Sequence, residues 1–417
     1  MAALSLVCLC VSIAAAFFMK LNTGLIALAM ALLLGRFAGI TDKWLIASFN
    51  NSLFIMLLGV MYLFCIAQNN KTLELLAKKT INLCGKRINL IPWILFVMAA
   101  VFAAIGPGPV SVSPLFAVLI MALANETKIE PIKLLPFGVL GGFAGGLTPI
   151  TPSGIVAVSV SEKNGITGVA QALPVKMLLM MVLYSLVLYF FVFKWHKVKP
   201  VKDSAEGAVK ADIPKFSSKQ WATLLGIVIV AVLSTAFKVN VGLAAFAVSV
   251  VLTMIGAADE QAALSKLPWN TLIMITGVGV LISLVTELGG IDLLSDMLSV
   301  FMGPKTASAV MALLGGVMSW VSSASGVVMP TLIPTVPNLV ETLPGTNALE
   351  IVIGLCIGAH AAAVSPLSSC GAMMLAAYST SPNVDAKARN KMFAQLFYLS
   401  AGGVAFSALL ALIGLYK

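Results

Sequence analysis

The stretch GGFAGGLTPITPSG (141–154) has a counterpart later in the chain, GAHAAAVSPLSSCG (358–371). Both are runs of small and apolar residues interrupted by Thr-Pro or Ser-Pro steps. Three further pairs keep the same order and nearly the same spacing. KLNTGLIALA (20–29) matches KVNVGLAAFA (238–247), NSLFIM (51–56) matches NTLIMI (270–275), and Pro114 matches Pro330. Four blocks at one nearly constant offset define two copies of a single unit, residues 1–195 and 220–417, joined by a polar, charged linker at 196–219.

The 417 residues are 60% apolar and only 10% charged, with a mean hydropathy of +1.03. Soluble domains carry about 25% charged residues. This balance excludes a soluble enzyme, a disordered chain and a disulfide-stapled secreted domain, and it requires a multi-pass membrane protein. A β-barrel is excluded as well, because barrel strands alternate in polarity and do not run about 18 apolar residues at a stretch. The net charge of +10 does not signal nucleic acid, since the basic residues sit in short loops between apolar runs. None of the six cysteines forms a CxxC pair, so they read as reduced apolar residues. The first twenty residues read as a span, not a cleaved signal peptide.

Apolar runs predict spans at about 3–19, 22–40, 51–68, 132–160, 173–194, 221–237, 240–257, 270–288, 350–380 and 392–415. Two more stretches, about 91–124 and 306–340, are too long for one span and too short for two. Each is broken at its middle, by GPGPVSVSP (106–114) and SSASGVVMP (322–330), and reads as a re-entrant hairpin. The expected fold is an all-α polytopic membrane protein of ten spans and two hairpins. Each half holds five spans and one hairpin. Five is odd, so the second half is inserted upside down. This topology places 19 of the 26 Lys and Arg residues on one side, which is then cytoplasmic, with both termini outside.

Inverted repeats with interrupted helices describe a secondary transporter. No phosphate-binding loop is present to couple ATP, and no nucleophile–base pair or metal cluster points to an enzyme. Where a helix stops in mid-membrane, its last carbonyls and the next helix's first amides lose their partners. Freed carbonyls and hydroxyls suit a small hard cation such as sodium, and freed amides at a positive dipole end suit a carboxylate. The breaks supply Ser111 and Ser113; Thr148, Thr151 and Ser153; Ser322, Ser323 and Ser325; and Ser365, Ser368 and Ser369. No acidic or basic residue falls near the middle of a span. Of the carboxylates and histidines that proton coupling usually needs, only His360 lies in a broken span, just before Ser365, which makes it the candidate for substrate contact or, in place of sodium, for proton coupling. The substrate expected is a small organic anion held by amides, hydroxyls and bound cations.

SPLSSCGAMMLA (365–376), its partner TPITPSGIVA (148–157) and the paired halves resemble the ion transporter superfamily. Within it the chain looks most like the malonate-carrier type of dicarboxylate carrier, which is similar to the divalent anion/sodium symporters. The resemblance implies a homodimer in the inner (plasma) membrane. In each protomer a mobile part, made of the hairpins and broken spans, would slide as an elevator along a fixed scaffold. It implies a first sodium site from Gly108 to Ser113 with Thr148 to Ser153. A second would run from Ser322 to Gly326 with Ser365 to Ser369, and a dicarboxylate would lie between them. The tips here read PVSVSP and SSASGV, without the Ser-Asn-Thr triplet of those symporters. Two other readings share parts of the pattern. One is the large membrane subunit of a binding-protein-dependent (TRAP-type) carboxylate carrier, and the other is a channel or anion exporter.

Overall fold

The computed structural model describes residues 1–75, 88–127, 129–195, 214–379 and 384–417. Lys78, Lys79, Lys86, Arg87, Lys128 and the linker as far as 213 lie outside the described residues. Every regular element among the described residues is helical. The first half comprises α1 (Ala2–Met19), α2 (Thr23–Phe37), α3 (Asp42–Ala47), α4 (Asn51–Asn69), α5 (Ile91–Ala104), α6 (Gly108–Thr127), α7 (Leu135–Gly145), α8 (Pro152–Lys163) and α9 (Val169–Val192). The second comprises α10 (Ser218–Thr235), α11 (Val241–Met254), α12 (Glu260–Ser265), α13 (Trp269–Glu287), α14 (Gly290–Ser299) and α15 (Ala307–Val321). It continues with α16 (Ala324–Thr342), α17 (Ala348–Ala361), α18 (Ser369–Ser379) and α19 (Ala386–Leu412).

Among the described residues, five apolar segments are long enough to cross a membrane unaided, and six shorter apolar helices of 10–17 residues accompany them. The expected spans at 22–40 and 240–257 are helices of 15 and 14 residues. At 1.5 Å per residue they reach about 21–23 Å, short of the roughly 30 Å hydrocarbon core. Each is followed by a six-residue helix, α3 or α12, whose start is capped by Thr41 or Asp259. The short helix α14 falls between expected spans. It packs on α1 and on the second part of α16, where the Ser295 hydroxyl donates to the Thr335 carbonyl at 3.1 Å.

The halves interlock through equivalent contacts. Helix α2 packs on α13, and α11 packs on α4. A Cβ at Gly24 would strike the carbonyl of Ile273, and one at Gly242 would strike the carbonyl of Ile55. Gly24 and Gly242 are matched positions of the first pair of blocks, and Ile55 and Ile273 stand at the same separation as these two glycines. Gly59 against Gly242 and Gly277 against Gly24 repeat the pattern. Elsewhere Gly141 abuts the Phe96 carbonyl and Gly358 the Ala312 carbonyl. Small residues let helices approach at backbone distance, so packing can hold them together where lipid gives no hydrophobic drive. Large exposed apolar side chains are frequent on α1, α2, α10 and α11, among them Val7, Leu33, Leu225 and Val251. That surface suits contact with lipid.

All four expected interruptions are present. Helix α7 stops at Gly145 and α8 starts at Pro152. Helix α17 ends at Ala361, passes through a tight turn at Ala362–Val364, and the chain restarts as α18 at Ser369. Helices α15 and α16 are bent by 119° at Ser322 and Ser323. Helices α5 and α6 are parted at 105–107. There Gly106 (φ 139°) and Gly108 (φ 72°) hold backbone that a side chain would strain, and a Cβ at Gly106 would strike the Phe64 ring.

Gly24→Val and Gly242→Val should each lower the thermal midpoint in detergent, with the roughly 1–3 kcal/mol penalty of an overpacked core. No described residue stands within 4 Å of a Cβ at Gly279. Gly279→Ala should therefore leave the midpoint unchanged or raise it.

Candidate functional site

Four helix starts meet at one cavity: α6 at Gly108, α8 at Pro152, α16 at Ala324 and α18 at Ser369. A chamber of about 290 Å³ is lined by Gly108, Val110, Ser111, Ser153, Ser322, Ser323, Ser325, Ser368 and Ser369, with Met61 from α4 and Thr271 and Met274 from α13. A smaller chamber of about 70 Å³ shares Ser153, Ser322, Ser323, Ser325, Ser368 and Ser369, and adds Phe143, Ser319 and His360. Of the expected site residues, Ser113, Thr148, Thr151, Ser365 and Gly326 line neither chamber.

Those five have other duties. The Thr151 hydroxyl donates to the carbonyls of Gly146 (2.7 Å) and Thr148 (2.8 Å) and accepts from the Gly154 amide (3.1 Å). Its counterpart in the second half does the same. The Ser368 hydroxyl donates to Ala363 (2.6 Å) and Ser365 (2.8 Å) and accepts from the Gly371 amide (3.3 Å). Each hydroxyl closes one helix break by satisfying groups on both sides of it. Thr148 donates to the Ala104 carbonyl, tying this break to the end of α5. Ser113 donates back to Pro109 within α6, and Ser365 accepts from the Leu367 amide. Gly326 lets the start of α16 approach α13, where a Cβ would meet the Met274 side chain.

The remaining serines divide in two. Ser322 donates to the Met318 carbonyl, and Ser323 caps α16 by accepting from the Gly326 amide. The hydroxyls of Ser111, Ser153, Ser325 and Ser369 make no hydrogen bond among the described residues, which leaves them free for a ligand. No Asp, Glu, Lys or Arg among the described residues lines either chamber. The fixed charge there is that of the helix ends. Each start presents unpaired amides and roughly half a positive charge. Among the described residues no cluster of three or more His, Cys, Asp or Glu side chains is placed to hold a metal. A cation would therefore rely on hydroxyl and carbonyl oxygens. His360 is 2% exposed; its Nδ1 donates to the Cys356 carbonyl at 2.7 Å, and its ring lies 5.5 Å from that of Phe143. Phe143 is the residue matched to His360 when the two breaks are aligned, so the two counterparts touch each other.

Sequence reasoning missed Ser319, which reads as a packing serine within the apolar run GVMSWV. It also missed Met61, Thr271 and Met274, for which no local signal exists.

Interrupted apolar helices whose starts surround a serine-lined cavity fit a membrane transport protein. The chain belongs to the citrate transporter family, whose profile matches residues 13–358. It is accordingly a multi-pass secondary transporter of carboxylates. Its fold is similar to that of the Alcanivorax borkumensis YdaH transporter, whose crystal structure is described as revealing an unusual topology. The TM-score is 0.59 at 14% identity, covering 89% of this chain and 87% of that one. No curated protein matches the sequence.

Thr151→Ala should lower the thermal midpoint, by the roughly 0.5–2 kcal/mol of a lost helix cap, and Thr151→Ser should restore it. Ser153→Ala and Ser369→Ala should leave the midpoint within error, because neither hydroxyl has a partner among the described residues. Thermal unfolding of the detergent-solubilised variants checks all four.

Proposed function

We propose that the protein is a cation-coupled symporter of citrate or a related small di- or tricarboxylate, working by alternating access. The observation that carries this reading is the 290 Å³ chamber, where four helix starts converge and no described charged side chain competes. Carboxylates sit at the free amides of those starts, and the unpaired hydroxyls of Ser111, Ser153, Ser325 and Ser369 orient them. Sodium is the coupling ion. Held on hydroxyl and carbonyl oxygens around Gly108, Ser111, Ser322 and Ser368, it adds positive charge beside the anion, so each ligand favours binding of the other. Family membership supports the carboxylate; the serine-rich breaks support sodium.

The two halves are inverted repeats. The paired glycine contacts and the contact of Phe143 with His360 support the two-fold relation, since residues beside such an axis meet their own counterparts, and the odd number of expected spans in each half supports the inversion. A cleft of about 810 Å³ lies along the opposite part of α13 and includes Asn50, Leu53 and Gly279. At the separation that relates Gly24 to Gly242, these correspond to Pro268, Thr271 and Met61, which line the substrate chamber. In the opposite state the helix starts face that cleft, moving as one body along a scaffold formed by α1–α4 and α10–α13. The protein works as a homodimer in the inner membrane, with both termini outside. Lys176 donates to the backbone oxygens of Leu415 and Lys417, and Trp195 donates to the Lys133 carbonyl, so the members of each pair share one end of the bundle, as this topology requires.

Uptake of radiolabelled citrate, malonate and succinate into proteoliposomes, with and without an inward sodium gradient, tests the proposal. Saturable uptake of at least one acid, stimulated several-fold by sodium, is expected. Uptake driven equally by a proton gradient without sodium would reassign the coupling ion, and non-saturable flux would indicate a channel.

A further inference from the structure

Ser319 is 4% exposed, and its enclosed hydroxyl has no hydrogen-bond partner among the described residues. An enclosed unpaired hydroxyl is destabilising unless something completes it. Ser319 lines the small chamber together with the ring of His360. Both polar groups belong to one half only. His360 is matched by Phe143, and the spacing that relates Pro114 to Pro330 matches Ser319 with Ala103. The repeat alone therefore explains neither of them.

The wall that carries these groups also has the opposite polarity to the helix starts. Phe143, Ser319 and His360 lie in the last turns of α7, α15 and α17. Helix ends of this kind present carbonyls and roughly half a negative charge each. Because Nδ1 of His360 donates to Cys356, the neutral ring offers Nε2 as an acceptor, and no described residue donates to it. An O–H group is satisfied by such carbonyls and by Nε2, while Ser153, Ala324 and Ser369, at the starts of α8, α16 and α18, line the other side of the same chamber. The chamber's 70 Å³ compares with the roughly 10–15 Å³ that one water requires, so a short substrate arm fits.

We propose that the small chamber is a hydroxyl-reading subsite, in which Ser319 and His360 bind a hydroxyl on the substrate's carbon skeleton while its carboxylates face the four helix starts. The subsite makes the carrier selective for hydroxycarboxylates over their deoxy analogues. This inference rests on the carboxylate reading above.

Two pairs of acids differ only in that hydroxyl: citrate against tricarballylate, and malate against succinate. Binding to the purified full chain in detergent is measured for all four by titration calorimetry. The wild type should favour the hydroxylated member of a bound pair by roughly tenfold, the worth of one well-made hydrogen bond. Ser319→Ala should bring that ratio close to one by weakening only the hydroxylated acid. The thermal midpoint should not fall, because the hydroxyl removed had no internal partner. His360→Asn, as a second variant, should shift the ratio in the same direction. A ratio unchanged in both variants would overturn the subsite and leave the carboxylate reading intact. So would equal weakening of both members, or a change confined to sodium dependence. Failure of all four acids to bind the wild type would overturn both.

Discussion

Backbone groups set free in mid-membrane find no water, and the whole site depends on how that demand is met. Two hydroxyls, those of Thr151 and Ser368, meet most of it. Each gathers two carbonyls from the break that follows one helix and one amide from the start of the next. With the break closed in this way, other amides at the start of the following helix are left for the cavity. Binding capacity, in the function proposed above, is then a by-product of incomplete capping: the capping side chain stabilises the interruption, and the groups it leaves over are open to a ligand.

The same geometry sets up a field without using any charged residue. Starts of α6, α8, α16 and α18 line both chambers, while Phe143, Ser319 and His360, in the last turns of α7, α15 and α17, line only the smaller one. Such a site need not desolvate a fixed lysine or arginine each time it fills. This suits a carrier that must release its substrate as readily as it takes it up. Backbone-distance contacts at Gly24, Gly59, Gly242 and Gly277 pack α2 on α13 and α4 on α11 beside this arrangement.

Much of this is legible in the sequence, for identifiable reasons. Proline and small hydroxylated residues inside apolar runs have few structural explanations, so TPITPSG and SPLSSCG mark the breaks directly. The nearly constant offset between blocks is what points to two copies of one unit. The division of labour among the hydroxyls is not legible. Thr151 and Ser153 are near neighbours, yet one is used for capping and the other is free, and only the position of the helix start decides which. Ser319 sits in an apolar run and looks like any small packing residue. Apolar residues continue past the turns that end α2 and α11, so hydropathy overstates the length of both helices. GIDLLSDMLS (290–299) mixes charge with apolar residues, which hides α14 among the loops.

An experimental structure of the protein with a bound tricarboxylate would test the central claim most directly. Substrate carboxylate oxygens should lie within hydrogen-bonding distance of amides at the starts of α6, α8, α16 and α18, with no basic side chain among the contacts. Substrate bound away from those starts, or continuous helix through 146–151 and 365–368, would contradict it.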